Sequence, residues 1–155
     1  MIYVFDTSAF VVLFKTFYRG NFPTLWEKFD LLIAEGKILS TREVKREIND
    51  QDDSLSEWAK DNSYIFTTPS AGEAGVVANI YSRPHFQANI EQKKILKGGL
   101  NADPFVIAKA SVSGGAVVTL EKFKRNAAKI PNICKDLEID CMNLEDFMNS
   151  EGWKF

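Results

Sequence analysis

The chain has few of the residues on which many functional sites depend. Its 155 residues include one histidine, His85, and two cysteines, Cys134 and Cys141. A lone histidine lacks a second imidazole for a zinc site and a nucleophile to activate, so we interpret His85 as a surface or loop residue. The cysteines lack the spacing of a metal site, and we interpret them as packing residues that stay reduced.

Long apolar runs and an excess of charge are also missing. No segment approaches the roughly 18 apolar residues of a membrane span, and the first residues lack the pattern of a secretory signal. We therefore expect a cytoplasmic protein without membrane contact. The formal net charge is only −2, which excludes a global basic field, so binding of nucleic acid would depend on local patches.

Internal repeats, linkers and low-complexity segments are absent as well. The composition, 45% apolar and 26% charged, is that of an ordinary globular protein. A chain of this length buries a core without disulfides or structural metal. We predict a single domain spanning residues 1–155.

Strands alternating with helices are what the sequence does contain. Buried strands are predicted at 2–5, 37–40 and 116–120, with shorter ones at 64–68 and 140–143. Helical spacing of apolar residues is found in the segments between them: 8–17, 23–35, 41–50, 54–62, two helices within 71–99 divided near Pro84, 102–113, 133–140 and 143–149. This alternation predicts an α/β fold, a three-layer α/β/α sandwich with a mainly parallel central sheet.

Acidic residues stand near the ends of the predicted strands. Asp6 follows the first strand, Glu43 and Glu47 lie in the helix after the second, and Asp103 opens a later helix. Glu121 follows the strand at 116–120. Because the carboxyl ends of parallel strands share one edge of a sheet, these acids are expected to meet.

Clustered carboxylates raise one another's pKa unless a cation lies among them, and oxygen ligands favour Mg²⁺ or Mn²⁺ over zinc. Each acid also has a plainer explanation. Asp6 or Thr7 would cap a helix, and Asp103, followed by Pro104 at the first helical position, would cap another. The remaining acids would be solvated surface charges.

Four stretches together resemble the acidic motifs of the PIN-domain family, the metal-dependent nucleases that include VapC-like toxins. They are "VFDTSAF", the glutamate-bearing helix begun by Thr41, "ADPFVIAKA" and "VVTLEKF". Counted from Thr41, Glu47 falls where the family carries its helical acid, and Glu43 is the alternative one turn earlier. The chain departs from the family in having Glu121 where many members have aspartate, in a longer stretch at 65–100 and in the tail "GWKF".

The resemblance implies hydrolysis of phosphodiester bonds in RNA with Mg²⁺ or Mn²⁺ as cofactor. It implies Asp6 and Asp103 as principal metal ligands, with Glu121 acting directly or through water. Glu47 would hold a second ion or orient the attacking water. The hydroxyls of Ser8 and Thr119 would fix the carboxylates.

An acidic centre needs nearby cations to attract RNA. Such cations follow Glu121 and flank Glu47 in the sequence: Lys122, Lys124 and Arg125, and Lys45 and Arg46. They are equally explained as solubilising charges. The run "KKILK" at 93–97 is distant from the motifs in sequence, and we expect it to face solvent.

Partners follow from the resemblance as well. VapC-like toxins are neutralised by a small antitoxin protein and often form homodimers. The aromatic content, including Trp26, Trp58 and Trp153, would permit an interface, although tryptophans are more often core residues.

Two rival functions stay open on the sequence. The first is a catalytically silent PIN-like module that binds RNA or a protein. The second is a phosphotransferase with Asp6 as nucleophile, which ranks last because that class expects a second acid two residues on, where this chain has Ser8.

Overall fold

A computed structural model describes residues 1–49, 53–96 and 101–155, with Asp53, Asn89 and Gln92 described in backbone only. The described residues contain five strands: β1 (Tyr3–Phe5), β2 (Ile38–Thr41), β3 (Phe66–Thr67), β4 (Ala116–Val118) and β5 (Cys141–Met142). Their helices are α1 (Thr7–Thr16), α2 (Pro23–Ala34), α3 (Arg42–Asn49), α4 (Asp53–Asp61), α5 (Ala71–Tyr81), α6 (Pro84–Leu96), α7 (Asp103–Ser113), α8 (Ile130–Asp136) and α9 (Leu144–Ser150).

The strands form one sheet in the order β3-β2-β1-β4-β5, and every neighbouring pair is parallel. From β1 the chain moves outward to β2 and β3, then returns to the other side of β1 as β4 and β5. The direction therefore reverses between β1 and β4. In open parallel sheets, the crevice at such a reversal is the usual place for a ligand.

Helices cover both faces of the sheet, which confirms the predicted α/β/α sandwich. On one face the buried ring of Phe5 contacts Phe10 of α1, Phe29 of α2 and Phe147 of α9, with ring centroids 5.1 to 5.8 Å apart. Val4 points the opposite way because side chains alternate along a strand. On that face α7 contacts β1, β2 and β4.

The turn into β4 depends on glycine. Gly114 ends α7 in the left-handed conformation at φ 69°. A Cβ on Gly115 would lie 2.7 Å from the carbonyl oxygen of Ile2, so only glycine lets the chain pass this close to β1. The pair sets the approach of β4 to β1 and thereby the crevice between their carboxyl ends.

Most predicted elements are present, with a few differences. The helix predicted at 133–140 is α8, which begins at Ile130 and ends at Asp136, because Pro131 suits its first turn and Glu138 takes a positive φ of 57°. The segment predicted as a strand at 64–68 begins as a 3-10 turn, Ser63–Ile65, before β3. The predicted end of the helix at 98–99 and residue 50 of the earlier helix lie outside the described residues.

The cysteines and tryptophans serve packing. Cys134 is buried, Cys141 is half-buried, and both are free thiols. Trp26, Trp58 and Trp153 are at most 9% exposed, so these rings belong to the core and do not supply an interface. None of the helices in the described part of the chain has both the length and the apolar composition of a membrane span.

Candidate metal centre

Asp6 lies at the reversal of strand order, directly after β1, and its carboxylate accepts three hydrogen bonds, which leaves acceptor capacity on Oδ1. Its Oδ1 accepts a hydrogen bond from the backbone N–H of Thr7 at 2.7 Å, which caps α1. Its Oδ2 accepts hydrogen bonds from the hydroxyls of Ser8 and Thr119, both at 2.8 Å. The capping explanation of Asp6 is therefore correct, but it accounts for only one of the two oxygens.

The same two hydroxyls join the end of β4 to the start of α1. Ser8 Oγ accepts from the backbone N–H of Leu120 at 3.1 Å, and Thr119 Oγ1 accepts from that of Glu121 at 3.2 Å. Residues more than a hundred positions apart in the chain are thus locked together. These contacts hold the Asp6 side chain between the start of α1 and the end of β4.

Asp103 and Glu121 meet at a third residue, Lys93. The Lys93 Nζ lies 2.5 Å from Asp103 Oδ2 and also contacts Glu121 Oε1. Lys93 belongs to α6, Asp103 begins α7, and Glu121 follows β4. An ammonium group thus bridges the two acids at the place where the sequence predicted a divalent cation.

The expectation that "KKILK" faces solvent is wrong for its first residue. The side chain of Lys93 is only 22% exposed, whereas Lys94, Ile95 and Leu96 are exposed and Lys97 lies outside the described residues. The expectation rested on the distance of Lys93 from the motifs in sequence, but a signal was present: Phe86 and Ile90 are buried and four residues apart, and Lys93 lies three residues further on the same face of α6.

The expected cap of α7 is also different. Asp103 is the first helical residue, and the cap position is held by Ala102. The side chain of Asn101 accepts the backbone N–H of Asp103 at 3.1 Å. Because the Asp103 carboxylate does not cap the helix, it is available to pair with Lys93.

The three acids interact electrostatically. Asp6 is 4% exposed. Its burial, followed by the charges of Asp103 and Glu121, raises the pKa of Asp6 to about 7, although hydrogen bonds from Thr119 and Ser8 oppose the shift. Burial of Lys93 opposes its protonation, but the charges of Asp103 and Glu121 outweigh this effect and raise the pKa of Lys93. The centre therefore carries a negative potential that favours cations.

This electrostatic arrangement predicts a pH-dependent stability. Because the pKa of Asp6 rises from 3.8 to about 7 on folding, its contribution to stability is fully present below pH 4 and is lost as the pH rises through 7. The loss is at most about 4 kcal/mol. Melting temperatures of the wild type and Asp6→Asn in a metal chelator should therefore diverge between pH 5 and pH 8.5, with the variant more stable at the higher pH. A difference that stays constant over this range would contradict the raised pKa.

Glu47 is buried like Asp6 and Asp103, and it links the segments that carry them. It is 5% exposed. Its Oε1 accepts from Thr7 Oγ1 at 2.7 Å, and its Oε2 accepts from the backbone N–H of Ala102 at 2.9 Å. Thr7 follows Asp6 and Ala102 precedes Asp103, so Glu47 fixes the separation of the two principal acids.

Glu43, the alternative acid, has a different environment. Its Oε1 pairs with Arg42 at 2.9 Å, and its buried Oε2 has no hydrogen-bond partner among the described residues. It makes no described contact with the residues around Asp6 or Asp103. The geometry thus favours Glu47 as the member of the centre that α3 supplies.

Matched substitutions should separate the two glutamates. Glu47→Gln removes one of two buried acceptors and is expected to lower the free energy of unfolding by about 1–3 kcal/mol. Glu43→Gln leaves those contacts intact and should change it by less than about 1 kcal/mol. Urea denaturation of both variants measures the difference. Equal losses would show that Glu47 does not connect the two segments.

The cations expected to bind RNA lie in two places. Lys45 and Arg46 are on α3, where Lys45 is half-buried and Arg46 is exposed. The others are exposed on the loop after β4: Lys122, Lys124 and Arg125. His85 is exposed near the start of α6, as expected.

The described acids do not form a preorganised metal-binding site. Among the described residues, no three His, Cys, Asp or Glu side chains are arranged closely enough to hold a metal ion. Instead, Lys93 bridges two of the acids, and the third is held by hydroxyls. The centre as it stands is an acid cluster neutralised by a lysine.

Comparisons with known proteins bear on the family and the fold. A family model described as a domain of unknown function, DUF4411, matches residues 3–155. The chain belongs to the DUF4411 family. A comparison with curated proteins finds no match for this DUF4411 chain.

Among solved structures, the DUF4411 chain is similar to a chain in the crystal structure of VapBC2 from Rickettsia felis bound to a DNA fragment from their promoter. The similarity has a TM-score of 0.49 at 17% sequence identity, and it covers 92% of this chain and 98% of that one. A likeness at this level carries no argument about the activity or the partners of this chain. The chemistry of the DUF4411 protein has to be argued from its own residues.

Proposed function

We propose that this protein is a metal-dependent endoribonuclease of the PIN type, which hydrolyses phosphodiester bonds in RNA. One observation carries the proposal. The charges of Asp103 and Glu121 act on the buried carboxylate of Asp6 beside the ends of β1 and β4, and a cation, the Lys93 ammonium, already bridges Asp103 and Glu121. The strand order makes this crevice the expected place for a ligand.

The residues of the centre fit Mg²⁺ or Mn²⁺ by their chemistry. All the candidate ligands are carboxylates, which these ions prefer, and Lys93 stands in for positive charge among them. Asp6, Asp103 and Glu121 would hold the ion, and Lys93 would have to leave Asp103 and Glu121. When bound, the ion would neutralise the phosphodiester, lower the pKa of a water molecule and stabilise the leaving oxygen.

The protein's own residues supply orientation. Ser8 and Thr119 hold Asp6 in its rotamer, and Glu47 fixes the spacing of the segments that carry Asp6 and Asp103. Such supporting contacts keep ligands within the narrow geometry that catalysis requires. Glu47 thus acts as a positioning residue in this proposal.

Cleavage assays on a panel of RNAs test the function. Purified protein should cut single-stranded RNA in Mn²⁺ or Mg²⁺, and a chelator should stop the reaction. The panel should include structured RNA and single-stranded DNA, which define the substrate class. Absence of metal-dependent cleavage across the panel, by protein shown to be folded, would overturn the proposal.

A second candidate function is favoured by the Lys93 bridge itself. If the ammonium permanently replaces the ion, the protein is a catalytically silent PIN-like module that binds RNA or a protein. Adding Mn²⁺ to metal-free protein at pH 8 separates the candidates. A nuclease centre should gain several degrees in melting temperature because the ion binds only the folded state, whereas a silent module should gain none.

The resemblance to VapC-like toxins adds a biological role to the proposal. The protein would be the toxin of a toxin–antitoxin pair, inhibited by an antitoxin protein and active as a homodimer. Expression in a bacterial host should then arrest growth, and Asp6→Asn should not. Growth arrest by both proteins would show that any toxicity is independent of the acid centre.

A further inference from the structure

A basic cleft lies beside the acid centre. It has a volume of about 390 Å³, and its cationic walls are Lys93, Lys124, Arg125 and Lys129, joined by Leu96 and Asn126. None of the described residues that line it is acidic. A cavity of this size exceeds the needs of one small anion and is in the range of small-ligand sites.

Three of these cations form no ion pair with any acid in the described part of the chain: Lys124, Arg125 and Lys129. Exposed cations elsewhere, such as Lys28 and Lys60, also have no ion pair among the described residues, so the feature that distinguishes these three is that they line one cleft. Unneutralised cations that share one concave surface repel each other, so their assembly favours an anionic ligand.

The loop that carries these cations is held in place. The buried side chain of Asn132 donates to the carbonyl of Lys124 at 2.7 Å and accepts its N–H at 3.4 Å. The backbone turns at Asn126, where φ is 64°, and is anchored by Ala128, which is 3% exposed. A fixed loop presents its charges without a large ordering cost on binding.

Lys93 connects this cleft to the acid centre. Its side chain forms part of the cleft wall, and its Nζ contacts Asp103 and Glu121. Glu121 also accepts the backbone N–H of Ile130, the residue after Lys129, at 3.4 Å. The two sites therefore share the Lys93 side chain and the loop from Glu121 to Ile130.

We propose that the basic cleft binds a backbone phosphate of single-stranded RNA, adjacent to the phosphate that is cleaved at the acid centre. This inference rests on the proposed nuclease function and adds a second subsite to it. The ligand is the phosphodiester itself, and contacts of this type position a strand without reading its bases. Affinity at the cleft therefore depends on salt and little on sequence.

The test compares RNA affinities of two doubly substituted proteins. Lys124→Ala with Arg125→Ala removes two exposed cations of the cleft. Lys28→Ala with Lys60→Ala removes two exposed cations from α2 and α4 and is the charge-matched control. Both pairs are introduced into Asp6→Asn, which keeps the RNA intact, and binding of a labelled single-stranded oligonucleotide is followed by fluorescence anisotropy at several salt concentrations.

The cleft variant is expected to bind RNA about 10-fold more weakly than the control, and the slope of log K against log salt should fall by about 1 to 2. Oligonucleotides of different sequence should lose affinity equally. Equal affinities and salt slopes for the two variants would contradict the proposal that the cleft binds RNA. Absence of RNA binding by the Asp6→Asn parent would contradict it as well.

The experiments distinguish an error in the proposed RNA-binding cleft from an error in the proposed nuclease activity. If wild-type protein cleaves RNA in Mn²⁺ while the cleft variant binds like the control, the nuclease stands and the cleft is wrong. If RNA binding depends on the cleft but no RNA is cleaved, the cleft is the RNA-binding site of a catalytically silent module, and the proposed nuclease activity is wrong.

Discussion

Asp6→Asn is expected to lower the rate of RNA cleavage by about 1,000-fold or more, equivalent to about 4 kcal/mol of transition-state stabilisation. The asparagine loses the charge of a principal ligand but keeps the shape of the side chain. Its oxygen can still accept from Thr7, and its amide can donate to Ser8 or Thr119. The fold should therefore persist, as shown by an unchanged circular dichroism spectrum.

Asp103→Asn should show the same loss of activity, because it also removes a principal ligand. The control is Asp30→Asn, which changes an exposed acid that pairs with Arg19 on the surface. It should leave the cleavage rate unchanged. Wild-type activity in either Asp6→Asn or Asp103→Asn would remove the acid centre from the mechanism.

Lys93→Met is the second substitution with a large expected effect, on metal affinity. The ammonium of Lys93 competes for Asp103 and Glu121, so its removal should tighten Mn²⁺ binding by about 10-fold or more, which is about 1.4 kcal/mol. Without metal, the variant should be less stable than the wild type by about 1–3 kcal/mol, because a buried acid loses its partner. Isothermal titration with Mn²⁺ and urea denaturation in a chelator measure the two effects.

Lys94→Met is the matched control for Lys93→Met, since Lys94 is the next residue of α6 and is exposed. Lys94→Met should change neither the affinity for Mn²⁺ nor the free energy of unfolding by more than the experimental error. Weaker Mn²⁺ binding by Lys93→Met than by this control would contradict the competition and would mean that the lysine supports the metal site.

The sequence allowed the sheet and part of the centre to be predicted. Asp6 and Glu121 follow apolar runs that had to be buried strands, and parallel strands align their carboxyl ends. Their approach therefore followed from local pattern and one topological rule. The parallel order β3-β2-β1-β4-β5 confirms the fold class that this reasoning gave.

Long-range side-chain contacts could not be predicted in the same way. The choice between Glu43 and Glu47 depends on which one reaches Thr7 and Ala102, and both glutamates lie on nearly the same face of α3. The spacing of Phe86 and Ile90 places Lys93 on the buried face of α6, but the acids that it meets there depend on how α6 packs against the sheet. In each case the decisive partner lies ten or more residues away along the chain.

The cap of α7 shows a third kind of limit. Aspartate before proline is a common helix start, and the pattern favoured Asp103 as the cap. Asn101 and Ala102 fill that role instead, since Asp103 has a partner in Lys93. The ion pair between Asp103 and Lys93, a tertiary contact, thus outweighs the local preference of aspartate for the cap position.

Crystals soaked in Mn²⁺ and measured for anomalous scattering test the acid centre most directly. We predict an anomalous peak among Asp6, Asp103 and Glu121, with the Lys93 ammonium moved off both of its acids. No peak at that position, with Lys93 still bridging Asp103 and Glu121 at saturating Mn²⁺, would contradict the account.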